Sequence, residues 1–113
     1  MEKFNYENVV EYVDFYIPEF KGETFVRDSP TLYFDDFAVF LVQLVESNNS
    51  ELISRAVNFI NDLADSKDTS LIAILDTGIF ERLKEIDKNQ SVYKNFGHLY
   101  SKESIYIYMV VFG

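Results

Sequence analysis

FDDFAVFLVQLVES, residues 34–47, is the stretch whose reading decides the fold. Phe34, Phe37, Ala38, Leu41, Leu44 and Val45 recur at the three-and-four spacing of one helix face, while Val39, Phe40 and Val42 carry apolar groups onto the other sides. A helix apolar nearly all round belongs inside, with other helices on several sides of it. This reading puts Asp35 and Asp36 at its start, where carboxylates accept unpaired backbone N–H groups and meet the positive end of the helix dipole. Pro30 preceded by Ser29 offers an earlier start, with serine as cap and proline in the first turn.

Toward the N-terminus, Asn5 is an N-cap candidate and Pro18 a stop, so a first helix is expected from about Asn5 to Ile17. Val9, Val10, Val13, Tyr16 and Ile17 form its inner stripe. Glu7, Asn8, Glu11 and Asp14 fall on the other side, with Tyr12 and Phe15 at the margins. The segment EFKGETFVRDSP, residues 19–30, reads as a loop pinned to the core by Phe20 and Phe25.

Toward the C-terminus, the polar residues 47–50 favour a turn, and a turn this short makes the next helix antiparallel to the Phe34 helix. That third helix, capped by Ser50, carries Leu52, Ile53, Ala56, Val57, Ile60, Leu63 and Ala64 inward, with Arg55, Asn58, Asn61 and Asp62 facing out. Residues 66–70 form the next connector. A fourth helix is expected from about Ser70 to Asp87 on the stripe Leu71, Ile72, Leu75, Ile79, Leu83 and Ile86, with Gly78 marking close packing or a kink. A short helix or turn around Val92, Tyr93 and Phe96 follows.

The final run from Ile105 to Phe112 is eight consecutive apolar residues and suits a buried strand or a helix. One strand has nothing to pair with, so 102–112 is assigned helix with Ser101 as its cap. The fold expected is all-α, a compact bundle of about five helices forming one domain over residues 1–113, with stacked HEAT-like helix hairpins as the alternative.

The chain is rich enough in apolar and aromatic residues to fold, and it has no cysteine, which removes disulfides, thiolate metal sites and cysteine nucleophiles. Its acidic N-terminal residues do not form a signal peptide and no apolar run approaches a membrane span, so a cytoplasmic protein is expected. Net charge is −9, unevenly spread: residues 1–51 hold 11 acidic and 3 basic groups, residues 52–113 hold 8 and 7. Such a field disfavours nucleic acid and anionic membranes, both of which need lysine and arginine to displace cations, and favours a basic protein.

Chemistry-bearing residues are few. Asp76-Thr77-Gly78 after two apolar residues has the form of an aspartic-protease motif, but such enzymes are nearly all β and need glycines for a flap and closing strands, and only Gly97 and Gly113 remain downstream. His98 is the one histidine and has no second histidine or cysteine with which to hold zinc. Adjacent Asp35 and Asp36 point about 100° apart on a helix and make no cation cage. No catalytic residue, metal or cofactor is therefore expected.

The pattern F-x-D-F-x-x-F-L, here Phe34, Asp36, Phe37, Phe40 and Leu41, resembles that of an uncharacterised group of small, acidic, all-helical bacterial proteins, over a region from Val9 to Leu83 with a looser match at LYSKESIYIY. The resemblance implies a helical fold and supports a helical C-terminal segment. In size and charge the chain also resembles immunity proteins of contact-dependent inhibition toxins, which implies an inhibitor role.

On these grounds the expected function is protein binding. An acidic surface of Glu7, Glu11, Tyr12, Asp14, Glu19, Glu23 and Asp28 would cover the basic cleft of a nuclease-type toxin domain, the protein itself being a monomer or weak homo-oligomer. The competing expectation is a structural or regulatory protein that pairs with itself or a host protein through its apolar C-terminal segment.

Overall fold

In a computed structural model, which describes residues 4–20 and 29–113, the chain is built from helices. A 3₁₀ turn, Tyr6–Asn8, leads into α1 (Val9–Tyr16), and α2 (Pro30–Leu44) and α3 (Ser50–Asp65) follow. Helix α4 (Thr69–Ala73) runs through a π-helical stretch, Ile74–Phe80, directly into α5 (Glu81–Ile86). Then come α6 (Ser91–Phe96), a 3₁₀ turn at Gly97–Leu99 and α7 (Lys102–Phe112). No strand occurs among the described residues, and the radius of gyration of 12.8 Å matches the ~13 Å of a compact chain of this length.

Local chemistry sets the boundaries. The Asn5 side chain accepts from the Glu7 and Asn8 N–H groups while Asn8 Oδ1 accepts from the Asn5 N–H, a reciprocal cap that starts the first helical segment where expected. That cap turns Asn8 inward: it is buried, not on the outer side. Pro30 occupies the first turn of α2, so Asp35 and Asp36 lie in its second turn and do not cap it.

The connectors after α2 and α3 are one device used twice. In the first, Ser47 Oγ donates to the Leu44 carbonyl and accepts from the Asn49 N–H, Asn48 takes φ +56°, and Asn49 Oδ1 caps Leu52 N–H at 3.0 Å. In the second, Ser66 Oγ donates to the Leu63 carbonyl and accepts from the Asp68 N–H, Lys67 takes φ +59°, and Asp68 Oδ1 caps Leu71 N–H at 3.2 Å. LVESNNSELI and LADSKDTSLI carry the same signal, Leu-x-x-Ser-x-(Asn/Asp) followed by Leu-Ile. A left-handed residue and then a side-chain cap turn the chain from one helix into the next across Ser47, Asn48 and Asn49 in the first connector and Ser66, Lys67 and Asp68 in the second. The α3 cap is therefore Asn49, one residue before the expected Ser50.

The central rod is Thr69–Ile86. Its π-helical stretch packs against α2 on one side and against α3 and α7 elsewhere, while α3 also packs on α1 and α7. Helices α2 and α3, joined by the short turn, meet through rings: Phe59 stacks on Phe34 at 6.0 Å and meets Phe37 edge-on at 5.7 Å. Phe59 is fully buried although the stripe read from the sequence omitted it. Helix α2 buries a broad face, Tyr33, Phe34, Phe37, Ala38, Leu41 and Leu44, yet leaves Val39 exposed, so it is not enclosed on all sides. Phe20 is buried against Tyr33, Phe37 and Phe40 as expected, and Phe25 lies outside the described residues. Among the described residues the buried apolar side chains form one cluster.

Candidate functional site

The acidic surface begins with α1. Val9, Val13 and Ile17 are buried, and this turns Glu7, Glu11, Asp14 and Phe15 to the opposite side of the segment at i, i+4, i+7 and i+8. Glu7 and Glu11 are exposed and Asp14 is half-buried. Phe15 stands out among them, 66% exposed. It lies 200° around the helix from Val13, a position the sequence reading assigned only to the margin. An aromatic ring with carboxylates before it along the same helix is an anchor within a charged field.

Tyr12 and Glu19, also expected on this surface, are engaged within the fold. Tyr12 is half-buried with its ring 4.4 Å from Phe4. Glu19 is exposed but holds Arg55 through a two-pronged pair, Nη1 to Oε1 at 3.0 Å and Nη2 to Oε2 at 2.7 Å, and Nη1 also donates to the Tyr16 carbonyl. The hydrogen bonds to Glu19 hold the Arg55 guanidinium above its ordinary pKa. Glu23 and Asp28 lie outside the described residues.

Tyr16 faces inward beside Phe59 and its hydroxyl donates to Asp62. That hydrogen bond, with burial and the Asp62 charge, pushes the Tyr16 hydroxyl up to about 12. Arg55 and Asp62, expected to face solvent, are instead the two points at which α3 holds the end of α1. Asn61 departs from the outward assignment in the same way. Its Oδ1 accepts from the Ser101 N–H and the Ser104 hydroxyl at 2.8 Å each, and its Nδ2 donates to the Leu99 carbonyl.

Residues that suggested chemistry are placed elsewhere. Asp76-Thr77-Gly78 lies in the π-helical stretch, where Thr77 Oγ1 donates to the Ala73 carbonyl, so the motif occupies a helix and not the strand-borne loop of an aspartic protease. A cleft of about 140 Å³ opens beside it, lined by Tyr6, Phe34, Ile74 and Gly78 among others. His98 is exposed. Among the described residues no three histidine, cysteine or acidic side chains are grouped to hold a metal ion, and no helix is long and apolar enough to cross a membrane.

A second surface lies on α7. Ser104, Tyr108 and Val111 are buried on the core side, with Tyr108 between Tyr93 and Phe112 in a stack of rings spaced 4.1 Å apart. Burial, with Tyr93 and Asp87 nearby, pushes the Tyr108 hydroxyl up to about 12, and it donates to Gln90. On the outer side Tyr106, Met109 and Val110 are 67%, 57% and 62% exposed.

The sequence matches a domain of unknown function, DUF7674, over residues 10–111, and the chain belongs to that family. No curated protein matches, and no solved structure does.

Proposed function

We propose that this family member is a protein-binding inhibitor of the immunity type, acting in the cytoplasm by laying the α1 face over the basic active-site cleft of a nuclease-type toxin domain. The observation that carries the reading is Phe15: a large ring two-thirds exposed on α1, which also presents Glu11 and Asp14 and is preceded by a 3₁₀ turn that presents Glu7. An exposed ring of this size costs the free protein solubility, and a partner that buries it recovers one of the strongest single contributions an interface side chain makes.

The carboxylates have a separate task. Spaced along about 10 Å of helix, they face a row of lysines and arginines, raise the encounter rate and orient the ring toward its pocket. The surplus of acid in residues 1–51 adds to the same field. Steered encounter of this kind reaches about 10⁸–10⁹ M⁻¹s⁻¹, which suits an inhibitor that must arrive before its target acts.

The test begins with capture from host lysate by the full chain at about 50 mM and about 500 mM salt, across which the Debye length shortens several-fold. A basic captured protein is then assayed for nucleic-acid cleavage with and without the chain. Phe15→Ala should weaken binding at least ~30-fold, mainly through faster dissociation, and the triple change Glu7→Gln, Glu11→Gln, Asp14→Asn should slow association and flatten its salt dependence. Unchanged affinity in both variants with helical content retained overturns the assignment of this face, and uninhibited cleavage overturns the inhibitor role.

A further inference from the structure

We propose that the cleft beside the π-helical stretch binds a small, uncharged aromatic molecule that carries a hydroxyl group, phenol being its simplest form. Tyr6, Pro30 and Phe34 line the cleft from the N-terminal turn and α2, and Ile74, Thr77 and Gly78 line it from the π-helical stretch. A π turn carries one residue more than an α turn, and such turns inside α-helices recur at functional sites. Ile74, Leu75, Ile79 and Phe80 are all buried, so the surplus residue is taken up on the outer side, where Thr77 is exposed and Gly78 brings no side chain. A Cβ at Gly78 would have Phe34 Cβ, 3.9 Å away, as its one neighbour among the described residues. The glycine thus leaves the backbone of the rod open to close approach by a ligand.

Volume and charge identify the ligand. At about 140 Å³ the cleft is close to the ~150 Å³ of an apolar cavity that holds benzene, which makes it the size of one ring. Tyr6 and Phe34 offer that ring aromatic partners, whose contacts add to the gain from burial. Among the described residues that line the cleft none is charged, although the chain carries −9. A charged ligand would give up water there without meeting a counter-charge, and an anion would face the field of the whole protein as well.

Hydroxyl chemistry sets the polar half of the ligand. Thr77 Oγ1 spends its proton on the Ala73 carbonyl at 2.8 Å, so toward a ligand it acts as an acceptor and calls for a donor on the ring. A phenolic O–H supplies one. The Thr31 and Ser70 hydroxyls, on exposed residues of the same cleft, are free to rotate and so match either role in return. One substituted ring fills the volume, so a tyrosine presented by a partner protein would leave its flanking backbone outside, and the assignment is to a free molecule. A ligand this small in an open cleft corresponds to a dissociation constant on the order of 1 mM.

Titration of the isotope-labelled full chain with phenol up to about 10 mM, followed through amide NMR shifts, tests this, the range passing well beyond that dissociation constant. Saturable shifts centred on Ala73, Thr77 and Gly78 are expected, with benzoate and N-acetyltyrosinamide each binding at least tenfold more weakly. Ala73→Leu, at an exposed residue of the cleft, should fill it and raise the dissociation constant for phenol at least tenfold. Thr77→Val keeps the shape, removes the acceptor and should raise it about fivefold, whereas Val110→Ser, exposed on α7, should leave it unaltered. Shifts that fail to saturate or centre elsewhere, an unchanged affinity in Ala73→Leu with helical content kept, or benzoate or N-acetyltyrosinamide binding as tightly as phenol overturns the proposal. Should Ala73→Leu lose helicity, Gly78→Ala narrows the cleft by one methyl group in its place: weaker phenol binding is expected, and equal or tighter binding overturns the proposal.

Discussion

Replacing Phe59 with alanine removes the ring on which the two halves of the aromatic core meet. Phe59 is fully buried, stacked on Phe34 at 8° between planes and bounded by Phe37, Tyr16 and Phe4 at 5.7, 6.2 and 6.2 Å. Burial of this kind makes Phe→Ala cost about 3–5 kcal/mol, and ring pairs add about 0.5–1.5 kcal/mol each beyond buried area, which places this site toward the upper end, about 4–5 kcal/mol. A domain of this length is stable by about 6–17 kcal/mol, so the loss is a large share of the total. The assay is urea unfolding followed by far-ultraviolet circular dichroism. For an m-value near ~1.5 kcal/mol/M the midpoint should fall by about 3 M with the slope unchanged. Phe15→Ala is the control: a side chain 66% exposed should change stability by no more than about 0.5 kcal/mol. A Phe59→Ala loss below ~1.5 kcal/mol, or one no larger than the Phe15→Ala loss, would refute the claim that α2 and α3 are joined through this ring.

Gly78 and Gly97 should respond in opposite directions to alanine. A Cβ at Gly78 meets Phe34 Cβ at 3.9 Å, an ordinary contact, so Gly78→Ala should stabilise by about 0.5–1 kcal/mol; a Cβ at Gly97 falls 2.8 Å from the Tyr93 ring, so Gly97→Ala should cost about 1–3 kcal/mol by pushing that ring off Tyr108. Thermal melts of the two variants check both signs. The Tyr16 hydroxyl, raised from 10 to about 12 in the folded chain, stays protonated in the native state after the unfolded state has begun to ionise. The stability it contributes is therefore complete below pH 10 and lost as pH rises through about 12, and Tyr16→Phe should flatten that alkaline decline in urea midpoints measured across the window. Asp87 accepts from the Ser91 N–H, the Ser91 hydroxyl and the Val92 N–H, so Asp87→Ala should cost about 1–3 kcal/mol and raise amide exchange selectively in α6.

Helix positions were legible because each is written in adjacent residues. Proline after Ile17, Pro30 in the first turn of α2 and the capping serine before Lys102 mark ends that the structure keeps, although the Ser29 side chain, expected to cap α2, makes no capping hydrogen bond. Even the tail, whose eight apolar residues suit a strand, resolves to a helix because no described segment offers it a sheet edge. The repeated connector was equally visible in LVESNNSELI and LADSKDTSLI, but it had to be read as hydrogen-bond chemistry: spacing of apolar residues alone shows no period there. What local pattern could not supply was which helix packs on which. The stripe of α3 leaves Phe59 at its edge, and only the placement of Phe34 and Phe37 across from it makes that position a centre.

The polar residues of α3 show why the candidate surfaces were harder to read than the fold. By helical phase Arg55, Asn61 and Asp62 belong to solvent, and a carboxylate or amide among them reads as surface charge. In the folded chain each is spent on a neighbour far away in sequence: Arg55 on Glu19 and the Tyr16 carbonyl, Asp62 on the Tyr16 hydroxyl, and Asn61 on Leu99, Ser101 and Ser104. Asp65 adds a fourth tether, accepting from the Ser101 hydroxyl at 3.1 Å. Helix α3 thus fixes the end of α1 with one pair of side chains and the start of α7 with another. Fixing α1 turns Glu7, Glu11, Asp14 and Phe15 outward, and fixing α7 does the same for Tyr106, Met109 and Val110. Breaking the first pair by Arg55→Ala with Asp62→Ala should therefore loosen α1 while leaving the amide protection of α7 intact. Asn61→Ala, leaving the Ser101 N–H without its acceptor, should do the reverse, a separation that amide exchange reads helix by helix.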